Sequence, residues 1–143
     1  MTLRIRPFTP ADQLAVIALW DECGLLRPWN DPAKDIARKL AVQPELFLIG
    51  ELDQEIVASL MAGYDGHRGW LNYLAVAPAH QNHGFASQLV RHAETMLEAR
   101  GCPKINLQIR LGNAQVAAFY EKMGYQADET ISLGKRLIPD RPI

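Results

Sequence analysis

Cysteine is scarce: Cys23 and Cys102 are the whole supply in 143 residues, too few for a disulfide framework. Both read as core fillers, because unpaired cysteine is among the most buried residue types, and the compartment they suit is a reducing, cytoplasmic one. No apolar run approaches the roughly 18 residues of a membrane span. The opening MTLRIRPFTP lacks the apolar stretch of a secretory leader. Charge of one sign is missing too: 15 Lys and Arg against 16 Asp and Glu leave a formal net charge of −1. That excludes a broad basic footprint for nucleic acid or for an anionic membrane surface, so any partner must be recognised locally. No repeat, low-complexity tract or linker breaks the chain. What remains is 48% hydrophobic and 22% charged, the balance of a globular protein. The length fits a single domain, 1–143, which buries roughly two thirds of its unfolded surface.

Within that domain the apolar pattern alternates between two periods. Residues 2–6 read as a short strand. Thr9-Pro10-Ala11-Asp12 is a capping-box start with proline at the first helical position, which predicts a helix over 10–23 with Leu14, Ile17 and Trp20 inward and Gly24 at its end. Asn30-Asp31-Pro32 repeats the signal for a helix over 32–41, with Ile36 and Leu40 inward. Two β-rich runs, 47–51 and 56–63, flank LDQE and predict adjacent antiparallel strands. YDGHRG then turns the chain into a strand over 70–77. Across 84–100, Phe85, Leu89, Val90, Ala93, Met96 and Leu97 recur at helical spacing up to Gly101. Ile105, Leu107 and Ile109 alternate as a strand, 113–123 reads as a helix ended by Gly124, and 131–138 as a last strand. This order predicts an α/β (α+β) domain, a mixed sheet with about four helices on its faces.

The stretch HQNHGFA, 80–86, joins the strand over 70–77 to the long helix. A turn from the carboxyl end of a strand into a helix leaves the first helical N–H groups unpaired and adds the positive end of the helix dipole, which together favour an anion. Gly84 lets the backbone approach a phosphate, Ala86 leaves the amides unshielded, and Gln81 offers a neutral polar edge. A tight connection with no ligand fits the same residues. A zinc site at His80 and His83 is disfavoured, because no nearby Cys, Asp or Glu completes a tetrahedral set; no metal is expected. The turn also lacks the Lys-Ser/Thr of a P-loop and the acidic residue of a dinucleotide fold.

Gln81-x-x-Gly84-x-Ala86, after a strand ending Leu74-Ala75-Val76-x-Pro78, resembles motif A of the GNAT superfamily of acyl-CoA-dependent N-acetyltransferases. NAQVAAFYEKMGYQ, 113–126, is similar to that family's motif B, and the two occur in the family's order and separation. The segments LRPWNDP, YDGHRG and LGKRLI further resemble its YpeA-type branch. The resemblance implies a fold whose two central parallel strands splay apart. It implies acetyl-CoA as co-substrate, its pyrophosphate held around Gln81, Asn82, His83, Gly84, Phe85, Ala86 and Ser87. Its pantetheine arm would pair like an extra strand with the backbone of Leu74, Ala75 and Val76, with Asn113 beside it on the cofactor side. Tyr120, two helical turns after Asn113, is implied as the acid that protonates the leaving thiolate.

This chain departs from the family pattern at the base. Many members carry a Glu on one of the two central strands, where here stand Asn72, Tyr73 and Gln108, none of them a base at neutral pH. The expectation is proton loss through ordered water, relayed by Asp65 or His67. On the acceptor side the family's geometry points to Arg27, Trp29, Asn30 and Asp31 in LRPWNDP and to Tyr64, Asp65, His67 and Arg68 in YDGHRG. Arg27 and Arg68 are candidates to anchor an acceptor carboxylate. Helix capping and a solvated hairpin turn explain the same residues. The expected activity is transfer of an acetyl group to a primary amine of a small molecule, amino acid or peptide end, by direct attack in a ternary complex, with a homodimer allowed. The alternative is a non-catalytic acyl-CoA-binding or regulatory domain of the same fold.

Overall fold

Strands form where apolar residues alternate or run together, and residues 2–140, those described by the computed structural model, contain five of them. β1 (Arg4–Pro7), β2 (Phe47–Leu52), β3 (Glu55–Tyr64) and β4 (Gly69–Val76) pair antiparallel in sequence order, and β5 (Ile105–Asn106) joins β4 in parallel. The β2–β3 turn is made by Asp53 and Gln54, both at positive φ (49° and 69°), the conformation that matches the twist of a tight hairpin. β2 is buried along its whole length because helices cover both faces of the sheet. α1 (Gln13–Glu22) and α2 (Pro32–Leu40) lay Val16, Leu19, Trp20 and Ile36 on one face. α3 (Phe85–Ala99) lays Phe85, Leu89, Val90, Ala93 and Leu97 on the other, where α4 (Ala114–Lys122) adds Tyr120.

Two expectations are corrected in the helices and the tail. Leu14 faces solvent, 85% exposed. The stretch LAVIALW of α1 is apolar nearly all round, so periodicity could not choose its inner side. No strand forms over 131–138, and the ladder of β5 stops after two residues. The tail instead crosses from β5 to α2. Asp128 accepts from Lys104 Nζ (2.8 Å) and Asn106 Nδ2 (2.7 Å), Ser132 accepts from Gln108, and Asp140 docks on α2. Ile131, Leu133, Leu137 and Ile138 therefore keep a strand-like alternation with no ladder to join, and all are exposed.

Asp140 is the buried end of this tail. It accepts from Arg38 Nη2 (2.6 Å) and from the backbone N–H of Asp31 (2.7 Å), the cap residue of α2. The Arg38 hydrogen bond, with the Asp31 amide second, holds the Asp140 carboxyl down at about 2, against roughly 3.9 for a free Asp. A depressed folded value means that the ionised form stabilises the fold above the unfolded value, and that this is lost as pH falls from about 4 towards 2. Asp140→Asn should lower the urea midpoint at pH 7, with the gap to the native protein closing near pH 2; an equal gap at both pH values would contradict the pairing.

β4 carries the feature that positions the site. From Asn72 to Ala75 it takes three steps while β3 takes two, from Met61 to Ser59, so β4 holds one extra residue as a bulge. Tyr73 sits in it at φ 53°, a left-handed conformation costly for an aromatic residue. Its ring stacks on Trp20 (centroids 3.9 Å apart), its hydroxyl donates to Asp35 Oδ2 (2.6 Å), and its carbonyl accepts from Ser59 Oγ (2.9 Å). Ser59 in turn accepts from Trp20 Nε1 (2.9 Å). Ties on three sides hold a backbone that the residue itself disfavours.

Candidate active site

The bulge and a glycine together open the sheet. At Gly69 the parallel pair is tight: its N–H donates to Lys104 O (2.8 Å). A side-chain carbon there would meet Cys102 Sγ at 2.9 Å and Leu97 Cδ1 at 3.2 Å, so only glycine lets the strands approach. Past the pair Trp70 and Asn106 the ladder ends. The β4 edge from Leu71 to the bulge and on through Leu74 and Val76 has no strand beside it, and a groove of about 1880 Å³ follows the gap past Asn72, Leu107, Ile109 and Tyr120. At the far end of β4 the Val76 carbonyl accepts from Gln81 Nε2 (3.1 Å) and from the Cys23 thiol (3.4 Å). Burial pushes that thiol up, away from the reactive thiolate.

Gln81 leads into the turn that opens α3. Asn82 and Gly84 both take positive φ (66° and 79°), and Gly84 is the residue preceding the helix. Nothing lies within 4 Å of where a Gly84 side chain would begin, so the glycine serves backbone conformation and open approach. Among the described residues no backbone N–H from 82 to 87 finds an acceptor; the first helical bond is Gln88 N to Gly84 O (3.1 Å). Amides without acceptors at a helix start favour an anion such as phosphate. His83 stands beside Phe85, rings 5.8 Å apart.

α4 starts where the Asn113 side chain accepts from Val116 N (3.3 Å), so this Asn is engaged as a helix cap. Tyr120 lies in the core with Phe119 and Tyr125 edge-on to it (5.0 and 5.4 Å). Burial alone pushes its phenol up to about 12, which keeps it protonated, a donor rather than an acceptor. The neighbouring Tyr125 hydroxyl donates to Glu94 (2.8 Å), whereas the Tyr120 hydroxyl has no protein acceptor among the described residues, and Tyr120 is one of the residues that line the groove.

The structure separates the two polar clusters. Asp65, His67 and Arg68 form the hairpin before β4, at the end where Gly69 meets Lys104, five residues and about 17 Å of strand from the bulge. The Asp65 carboxylate accepts from the N–H groups of Arg68 (2.7 Å) and His67 (2.8 Å) and from Trp70 Nε1 (3.2 Å), which holds it below the usual carboxylate range. Arg27, Trp29 and Asn30 instead form a turn at the start of α2, closed by Asn30 N to Arg27 O (3.1 Å). A carboxylate that the structure does bring to the bulge is Asp35. Sequence reading missed it, because 38 residues separate it from Tyr73. No group of three or more His, Cys, Asp and Glu side chains that could hold a metal occurs among the described residues, and no helix among them is long and apolar enough to cross a membrane.

Against this geometry, the model of the Acetyltransferase (GNAT) family matches residues 13–125. The chain is 52% identical over 139 residues to an acetyltransferase of Yersinia enterocolitica, covering 97% of this chain and 99% of that one. It is equally identical, with the same coverage, to an acetyltransferase of Pectobacterium atrosepticum. Among solved structures, an aminoglycoside 6'-N-acetyltransferase of Acinetobacter haemolyticus superposes with a TM-score of 0.72 at 22% identity, over 94% of this chain and 99% of that one. The NatC complex bound to Gag peptide and CoA superposes with 0.72 at 23%, over 86% and 84%. At these identities the structural likeness is one of fold.

Proposed function

Because this chain belongs to the GNAT acetyltransferase family, we propose that it moves an acetyl group from acetyl-CoA to a primary amine of a small molecule, an amino acid or a peptide end, by direct attack in a ternary complex. The observation that carries this reading is the run of unpartnered amides over 82–87 at one end of an open β4 edge. Phosphate oxygens would lie on those amides, with Gln81, Asn82, His83, Gly84, Phe85, Ala86 and Ser87 around them. The amide-bearing pantetheine arm would lie along Leu74, Ala75 and Val76, beside a strand edge that β5 does not reach and where Gln81 and Cys23 engage the Val76 carbonyl. Acetyl-CoA supplies the activated acyl group.

The residues of the chain then do three things. A backbone N–H of β4 beside the bulge at Tyr73 would face the developing oxyanion. Tyr120, protonated and free at its hydroxyl, gives its proton to the departing thiolate. Proton loss from the amine goes through water, since β4 offers Asn72 and Tyr73, and the segment after β5 offers Gln108, in place of an acid. Asp65, lowered by three donors and remote from the bulge, is a weaker candidate relay than its sequence position suggested. Acceptor binding falls to Arg27, Trp29 and Asn30 at the mouth of α2. The two unpaired thiols, Cys23 and Cys102, suit a reducing cytoplasm.

The missing strand carboxylate also favours a second reading, a non-catalytic acyl-CoA-binding or regulatory domain. Free-thiol release from acetyl-CoA, followed across a panel of amino acids, dipeptides and simple amines, separates the two. Amine-dependent release supports transfer; CoA binding with no release above the amine-free rate supports the binding domain.

A further inference from the structure

Three arginines from three distant segments meet at the turn over 27–30. Arg27 curls back on its own loop, donating to Gly24 O (2.8 Å) and Leu26 O (3.1 Å). Arg110, just past the open end of β5, sets its guanidinium over the half-exposed Trp29 ring, 5.4 Å from the centroid. Arg136, from the tail, donates to Asn30 Oδ1 (2.6 Å). Among the described residues neither Arg27 nor Arg110 has a carboxylate partner. The acid near Arg136 is Asp140 at 3.8 Å, and it is already committed to Arg38 at 2.6 Å and to the Asp31 amide. Like charges gathered on one turn, with one acid nearby that is already engaged elsewhere, repel, so this arrangement favours an anion. Guanidinium groups match the paired oxygens of carboxylate and phosphate.

The place of this cluster says which anion. α2 reaches the bulge through Asp35 and Tyr73, and further along reaches β3 through the contact of Lys39 with the carbonyl of Ala62, which pairs with Leu71 near the start of β4. Its first residues, and the turn over 27–30 that precedes them, thus lie at the bulge end. α1 and α2 cover one face of the sheet and α3 the other, so the turn over 27–30 belongs to the α1–α2 side and the amides of 82–87 to the α3 side, the two sides meeting at the Val76 carbonyl, which accepts from both Cys23 and Gln81.

We propose that Arg27, Arg110 and Arg136 bind an anionic oxygen group, carboxylate or phosphate, on the acceptor amine. This rests on the acetyl-transfer reading above and narrows its substrate to acidic amines. The test uses matched pairs: L-lysine against cadaverine, and O-phosphoethanolamine against ethanolamine. The wild type should favour an anionic member by about tenfold or more in kcat/KM, the scale of one charge-assisted hydrogen bond; which pair shows it tells carboxylate from phosphate. Arg110→Gln and Arg136→Gln should each erase that preference while the KM for acetyl-CoA stays put.

Equal or reversed preference in both pairs overturns the proposal. So does a rise in the KM for acetyl-CoA that disappears with acetyl-dephospho-CoA, since the arginines would then hold the cofactor's phosphate. A binding arm keeps the inference separable from transfer: in the presence of CoA, the Trp29 indole NMR signal should shift saturably with N-acetylglycine or N-acetyl-O-phosphoethanolamine, but not with N-methylacetamide. No turnover with those shifts intact removes the acetyl-transfer reading and leaves the anion site. Absence of shifts with both anions removes the anion site whatever the turnover.

Discussion

Tyr120→Phe should lower the single-turnover rate of acetyl transfer by about 10²–10⁴-fold, the range for loss of a general acid, with CoA affinity little changed. The ring is the part of Tyr120 that packs, edge-on to Phe119 and Tyr125, and Phe keeps it. The hydroxyl has no protein acceptor among the described residues, so no buried partner is orphaned. Burial pushes the phenol up to about 12, which places it above a thiol of roughly 8.5 and keeps it a donor throughout the working range. Transfer from phenol to thiolate is therefore uphill at rest, and it proceeds only where the sulfur is held beside the hydroxyl as charge develops. Steady-state kcat can hide the effect if product release is slow, which is why the single-turnover rate is the readout. A Tyr120→Phe protein with wild-type rates would leave this residue as packing and assign the proton to water.

Gly84→Val carries the second large effect, on binding. Gly84 stands at φ 79°, where a β-branched residue pays about 1–2 kcal/mol. Apart from its chain neighbours, no atom lies within 4 Å of a Cβ at this position. The fold should therefore survive with a small loss of stability, while the turn relaxes toward negative φ and its amides over 82–87 lose their common direction. The added branch also projects into the space that a phosphate needs. CoA affinity should fall by about tenfold or more, which is about 1.4 kcal/mol, and Gly84→Ala should fall between the two proteins. Unchanged affinity by calorimetry in a folded Gly84→Val protein would remove this turn from the binding site.

Local chemistry was legible in the sequence, and long-range chemistry was not. The turn at 80–86 and the Asp31-Pro32 start of α2 are written in consecutive residues whose backbone preferences agree with the fold, whereas the LDQE hairpin is written in the β-rich runs that flank it, Gln54 itself taking a positive φ. The inner side of α1 was not readable, because an almost wholly apolar helix has no preferred side until a sheet is present to meet it. Residues 131–138 have a strand pattern, but a strand also needs an edge, and the two-residue ladder of β5 gives almost none. The bulge was hidden for a different reason: Tyr73 takes a conformation its side chain disfavours, imposed by Trp20, Ser59 and Asp35 from elsewhere in the chain. Arg136 and Asn30 are 106 residues apart, a pairing that no motif spacing encodes.

The central claim is that acetyl-CoA lies with its phosphates on the 82–87 amides and its arm along the open edge of β4. Titrating the ¹⁵N-labelled protein with CoA and following its backbone amides tests this most directly. The largest shifts should fall on Leu74, Val76 and the amides of 82–87, with the hairpin residues Asp65, His67 and Arg68 unmoved. Shifts centred instead on the tail groove formed by Arg38 and residues 134–138, or none at millimolar CoA, would contradict it.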